Sequence, residues 1–191
     1  MPLSPPVARE HIHTRVIECR GFRREDGLWD IEGHITDVKT YAFGNYFRGE
    51  ILAGAPVHDM WLRLTVDDRL TIRDVEAVTD ASPYAVCPNV TPNFARLKGL
   101  SIRPGFQAQV RSRLGGTEGC THLVELLVPV ATTAYQTVFP YRERQRREQR
   151  KAEGKAREKP RRRPPLLDSC HAFASDGEVV KRYWPEFYTG S

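Results

Sequence analysis

Two neighbouring segments of alternating apolar and polar residues constrain the fold more than any other feature of the chain. In residues 57–66, Val57, Asp59 and Trp61 point one way, whereas the side chains that point the other way are Met60, Leu62, Leu64 and Val66. Asp67 and Asp68 supply a turn, and residues 70–78 alternate again. Two alternating runs around a turn predict an antiparallel β-hairpin with one buried face.

An earlier part of the chain repeats this pattern. Residues 13–20 and 28–38 are joined through Asp26-Gly27, a dipeptide that favours the positive φ of a tight hairpin. We assign one face of the second strand to the core on the basis of its apolar side chains and a glycine, namely Trp29, Ile31, Gly33 and Ile35.

The remaining segments predict helices and loops. Residues 40–56 are rich in aromatic residues and glycine, and we expect a loop with a short helical turn. Residues 104–113 and 118–138 have helical spacing. The predicted fold class is therefore α+β, with an antiparallel sheet of at least four strands and helices packed on one face.

Four segments are expected along the chain. Residues 1–10 form a flexible N-terminal segment, residues 11–140 form the α+β domain, and residues 141–165 form a basic linker or a solvated helix. Residues 166–191 regain apolar side chains, and we expect them to dock on the domain.

Most of the positive charge lies in residues 142–163. This segment holds 12 of the 29 basic residues and 4 of the 24 acidic ones, a net charge of +8, and leaves −3 on the rest of the chain. It lacks interleaved aromatic residues, so it predicts non-specific, salt-sensitive binding to nucleic acid, or a solubilising linker. The candidate contacts are Arg146, Arg147, Arg150, Lys151, Arg161, Arg162 and Arg163.

Composition also bears on location. No stretch approaches the roughly 18 apolar residues that a membrane span needs, and no signal peptide is visible, so no membrane partner is expected. The four cysteines are widely spaced in a chain that is not small, which disfavours a disulfide scaffold. A reducing, cytoplasmic location is the expectation.

A metal site is the leading chemical hypothesis. Thiolates, imidazoles and carboxylates at strand ends and helix starts can converge on zinc or an iron–sulfur cluster. The predicted ligands are His58, Asp59, Cys87 and Cys120, with His122, Cys170 and His171 as outside candidates. Cys120 and His122 are about 200° apart on the helix predicted from residue 118, which disfavours their sharing an ion. The alternative is that these are ordinary, partly buried side chains.

A second group lies at the end of the first hairpin. His34, Asp37 and Lys39 could carry out acid–base catalysis, since a carboxylate lies beside an amine. The competing interpretation is an exposed ion pair at a strand end.

Four stretches resemble an uncharacterised bacterial family, a domain of unknown function. They are GFRREDGLWDIEG at 21–33, HDM at 58–60, GCTHL followed by ELL within 119–127, and LDSCH at 167–171. This resemblance implies no particular activity.

Residues 57–138 are also similar to the U-type iron–sulfur scaffold proteins, in which a hairpin is preceded by one cysteine and an aspartate and followed by further cysteines. The likeness implies that His58 replaces the first cysteine, while Asp59, Cys87 and Cys120 match the remaining ligands. A mixed set of this kind suits zinc better than a cluster.

Three functions remain open from the sequence. The first is a metal-dependent or reactive-cysteine protein. The second is a non-catalytic accessory protein, a homo-oligomer or a partner binder, with Trp29, Trp61 and the aromatic loop as its interface. The third is a small-molecule enzyme that uses the acid–base pair near the first hairpin.

Overall fold

A computed structural model of the chain describes residues 3–154, 163–164 and 166–191. The chain divides into two compact units, residues 1–143 and residues 144–191. No helix among the described residues is long and apolar enough to cross a membrane.

The first unit is built on a four-stranded antiparallel sheet. Its strands, in spatial order, are β1 (His13–Arg23), β2 (Trp29–Lys39), β5 (Pro56–Val66) and β6 (Ile72–Ala81). Both predicted hairpins form, through turns at Gly27 and at Asp67. The α+β fold class is confirmed.

The connection between β2 and β5 differs from the expectation. The aromatic loop at 40–56 contains a small hairpin of β3 (Phe43–Asn45) and β4 (Gly49–Ile51), not a helical turn. Gly49 takes a positive φ of 72°, which a tight two-stranded turn allows and which a right-handed helical turn does not. The prediction of a short helix here is wrong.

Helices follow the sheet. A 3₁₀ segment spans Cys87–Leu97, α1 spans Phe106–Leu114, a 3₁₀ turn spans Gly116–Glu118, and α2 spans Thr121–Ala152. The second unit holds the last part of α2, α3 (Glu178–Tyr183) and two 3₁₀ turns, His171–Phe173 and Pro185–Phe187. The predicted helix and the start of the basic segment are thus one continuous helix.

Helix α2 covers one face of the sheet, called here the covered face. The core contains the predicted side chains of β2 and β5 together with the apolar stripe of α2, namely Trp29, Ile31, Ile35, Met60, Leu62, Leu64, Val66, Leu123, Leu126, Leu127, Val130, Ala134 and Val138. Gly33 lies where the helix packs closely on the sheet, since a Cβ there would be 2.4 Å from the side chain of Val130. The helix position therefore depends on a glycine in β2.

The opposite side of the sheet, called the open face, remains partly exposed. Trp61 is 39% exposed there, with Val16, Phe22 and Val78 also accessible. Trp29 belongs to the covered face and is only 3% exposed, so its predicted role in a surface interface is wrong. Its indole Nε1 instead donates to Asp68 Oδ1 at 3.1 Å.

Candidate metal centre at the end of the sheet

Asp37 is the buried polar residue around which the site is arranged. It continues the alternation that places Trp29, Ile31 and Ile35 in the core, and its side chain is only 1% exposed. The register of the sheet pairs it with Arg15 on one side and His58 on the other, and the β2–β5 ladder shifts register between Asp37 and Val38. β-Bulges of this kind re-aim side chains and are frequent beside functional sites.

The expected exposed ion pair of Asp37 with Lys39 is wrong. Lys39 Nζ instead donates to the hydroxyl of Tyr41 at 2.9 Å. Asp37 faces inward because strand alternation places it on the covered face, and a carboxylate in that position must be compensated by charged or polar partners.

Four hydrogen bonds compensate the buried carboxylate. Arg15 donates from Nε to Oδ1 at 2.8 Å and from Nη2 to Oδ2 at 2.9 Å. His13 Nε2 donates to Oδ1 at 2.9 Å, and His58 Nδ1 donates to Oδ2 at 3.0 Å. Burial raises the pKa of Asp37, but the Arg15 guanidinium and the His13 hydrogen bond outweigh it and lower that pKa to about 2. Asp37 is therefore an anion at neutral pH.

His58 takes a defined tautomer as a result. An ionised carboxylate only accepts hydrogen bonds, so the proton lies on Nδ1 of His58. Burial, followed by the neighbouring charge of His122, lowers the pKa of His58. The neutral ring then carries a free lone pair on Nε2, the form in which histidine binds metals.

His122 lies against His58. The two ring centroids are 3.8 Å apart with planes inclined by 34°. Burial, and then the positive charge of Arg15, lower the pKa of His122, so it too favours the neutral form. The Sγ of Cys120 lies 4.0 Å from Nδ1 of the His122 ring.

Cys120 lies just before α2. The helix begins at Thr121, not at residue 118, and the carbonyl of Cys120 accepts from the backbone N–H of Val124 at 2.9 Å. The expected 200° separation of Cys120 and His122 assumed that both lay on the helix, and it is wrong for this reason. The Sγ of Cys120 also lies 4.0 Å from Sδ of Met60.

Three of these side chains form a group with the spacing of metal ligands. One ligand atom each from Asp37, His58 and His122 lies within 4.8 Å of the others. Two imidazoles and a carboxylate are donors that zinc, iron and other first-row transition metals accept. Among the described residues this is the one group of three or more such side chains with that spacing.

The other predicted ligands lie elsewhere. Asp59 follows His58 in β5 and therefore points to the open face, where its Oδ1 accepts from His34 Nε2 at 2.7 Å. The His34 ring stacks on Trp61 with centroids 3.7 Å apart. Cys87 opens the 3₁₀ segment and is half-buried. Neither Asp59 nor Cys87 joins the group of three within the described residues.

The remaining candidates belong to the second unit. Cys170 and His171 are exposed at the start of a 3₁₀ turn. Arg146, Arg147 and Lys151 are exposed on α2, and Arg150 is half-buried there. Arg163 forms an ion pair with Asp168, whereas Arg161 and Arg162 lie outside the described residues.

Two residues of the cluster were missed entirely from the sequence. His13 and Arg15 lie on β1, and their alternation marked only a strand. The signal that could have found them is the hairpin register, because counting back from the Asp26-Gly27 turn places Arg15 opposite Asp37. A buried carboxylate at that position requires a basic cross-strand neighbour.

The comparisons with known proteins identify a family. Residues 13–136 match the family described as "Protein of unknown function (DUF2889)", and the chain belongs to that family. The matched range contains every member of the cluster around Asp37. No curated protein and no solved structure matches the chain. The resemblance to a domain of unknown function is thereby confirmed, whereas the iron–sulfur likeness and the bacterial origin stay predictions.

Proposed function

We propose that this protein binds a single transition-metal ion, with zinc as the first choice, at the cluster of Asp37, His58 and His122. The observation that carries the proposal is the contact between two neutral imidazoles beside a buried carboxylate. One ligand atom from each of these three side chains lies within 4.8 Å of the others.

The chemistry of the donors supports a transition metal. Imidazole nitrogens suit zinc, iron, nickel and copper, whereas magnesium and calcium select oxygen ligands. Three protein donors leave a coordination position for water or a substrate, the arrangement of catalytic zinc sites. The expected activity is therefore Lewis-acid chemistry on a small molecule, such as metal-assisted hydrolysis or hydration.

A cytoplasmic location belongs to the same proposal. All four cysteines are free thiols in the structure, which suits a reducing compartment.

Metal analysis by mass spectrometry on untagged protein, purified without oxygen, tests the proposal. We expect about one equivalent of zinc or iron in the native chain and a loss of most of it in a His58→Ala/His122→Ala variant. His171→Ala removes an exposed histidine outside the cluster and serves as the matched control. Less than about a tenth of an equivalent in the native chain, before and after incubation with zinc, would refute metal binding.

The open face favours a second candidate, a non-catalytic partner or oligomer interface. Trp61, Val78, Val16 and Phe22 give this side of the sheet exposed apolar surface. Light scattering with native protein and a Trp61→Arg variant tests it. A native dimer that Trp61→Arg converts to monomer supports an interface, and a native monomer at all concentrations contradicts self-association.

A further inference from the structure

The acceptor capacity of Asp37 decides which residues ligate the ion proposed above. A carboxylate offers about four lone-pair positions, two on each oxygen. Here Oδ1 accepts from His13 and Arg15, and Oδ2 accepts from Arg15 and His58, so all four positions are used. A metal on Asp37 would have to displace a charge-assisted hydrogen bond. The carboxylate is placed instead to orient His58, as in carboxylate–histidine–zinc arrangements.

Cys120 is placed to supply the missing donor. With a Zn–S bond of about 2.3 Å and a Zn–N bond of about 2.0–2.1 Å, tetrahedral geometry sets the sulfur-to-nitrogen separation at about 3.6 Å. The observed distance from Cys120 Sγ to His122 Nδ1 is 4.0 Å, so a small rotation of either side chain brings both to one ion. The ring of His58 faces the ring of His122 with centroids 3.8 Å apart. Cys120 is not a member of the group of ligand atoms that lie within 4.8 Å of one another, so its side chain must turn towards His58 to share the ion.

On these two observations, and on the proposed function, we infer that the metal is held by His58 Nε2, His122 and the thiolate of Cys120. Asp37 is a positioning residue, not a ligand. The site is then a two-nitrogen, one-sulfur site, and three protein donors leave one position open, as in catalytic zinc sites. A thiolate ligand shifts preference towards zinc and away from the hard cations.

Cobalt(II) titration of the metal-free protein tests this ligand set. Cobalt replaces zinc, its visible d–d bands report binding, and a near-ultraviolet charge-transfer band reports a bound thiolate. We expect both signals in the native chain. Cys120→Ser should still bind cobalt but lose the charge-transfer band, while the matched variant Cys87→Ser keeps both signals.

Asp37→Asn separates a positioning role from a ligand role. We expect it to keep the charge-transfer band and to weaken cobalt binding by about 10–100-fold, the usual effect of losing an outer-shell partner. The weakening should be smaller for Asp59→Asn, the neighbouring carboxylate on the open face. An Asp37→Asn protein that binds cobalt with a changed d–d spectrum and coordination number would make Asp37 a ligand and overturn this assignment.

A measurement on the native chain covers the case in which Cys120→Ser does not fold. Alkylation followed by peptide mass analysis should show that zinc protects Cys120 but leaves Cys87 and Cys170 reactive. Cobalt binding without a charge-transfer band, or zinc binding without protection of Cys120, overturns the thiolate ligand and leaves the proposed metal site intact. Absence of any cobalt or zinc binding refutes both.

Discussion

Replacing Asp37 with asparagine tests the account of the buried carboxylate in the metal-free protein. A pKa lowered from 3.8 to about 2 corresponds to about 2 kcal/mol of stabilisation of the charged form. Because Arg15 is about one-third exposed, solvent screening reduces this to about 1–2 kcal/mol. Asparagine also turns an N–H group towards donors, which adds about 1–2 kcal/mol for an unmade hydrogen bond. We therefore expect Asp37→Asn to lower the free energy of unfolding by about 2–4 kcal/mol at pH 7.

The pH dependence identifies the electrostatic part of that loss. A carboxyl whose pKa is lower in the folded state contributes stability that is complete above the unfolded pKa of 3.8 and is lost as the pH falls towards 2. Roughly half of the electrostatic difference between the native chain and Asp37→Asn should disappear between pH 7 and pH 3.

Urea unfolding at both pH values, with a chelator present, measures the two free energies of unfolding. Asp59→Asn is the control, since Asp59 is a partly exposed carboxylate with a single histidine partner. The reasoning is refuted if Asp37→Asn costs less than about 0.5 kcal/mol, or if its cost is the same at pH 7 and pH 3.

Three further predictions concern the helix, the histidines and the basic segment. Gly33→Ala should lower the free energy of unfolding by about 1–3 kcal/mol, because its Cβ collides with α2. Gly44→Ala is the control in urea unfolding, since a Cβ at Gly44 meets nothing within 4 Å. Equal effects of the two substitutions would contradict the predicted close approach. The metal-free protein should lose stability below about pH 6.5, because the lowered pKa values of His58 and His122 let the unfolded chain take up protons first. In thermal melts, a His122→Gln variant should lose less stability than the native chain between pH 7 and pH 5. An unchanged dependence of stability on pH would contradict this prediction. Replacing the four basic residues within 146–151 by alanine should reduce the slope of log binding constant against log salt concentration by up to about 3–4 for nucleic acid. Fluorescence anisotropy at several salt concentrations measures this slope. An unchanged slope would show that this segment makes no phosphate contacts.

The sheet was predictable because its signals are local. Alternation assigned Trp29, Ile31 and Ile35 to the core, and the turn residues placed both hairpins. The same alternation, continued two residues beyond Ile35, puts Asp37 on the covered face. The sequence nevertheless favours a surface position for Asp37, because a charged side chain beside Lys39 at a strand end is usually solvated.

The cluster was less predictable because it depends on contacts between distant parts of the chain. The pairing of Asp37 with His58 requires β2 and β5 to be neighbours across the β3–β4 insertion, and no residue pattern states that distance. Placing Cys120 beside His122 required the first residue of α2 to be known, and an error of three residues reversed the conclusion. Helix boundaries carry about that uncertainty when read from a single sequence.

Strand alternation at His58 and Asp59 has a consequence for how this family can vary. Consecutive residues of β5 deliver an imidazole to the covered face and a carboxylate to the open face, each to a partner on β2. Deleting one residue from the start of that strand would turn the imidazole of His58 to the open face and the carboxylate of Asp59 to the covered face. Length changes in homologous chains should therefore accumulate in the connection that contains β3 and β4, because there they do not change which side chains of β5 point to each face. A relative with an odd number of residues inserted inside β5 would need new partners for both Asp37 and His34.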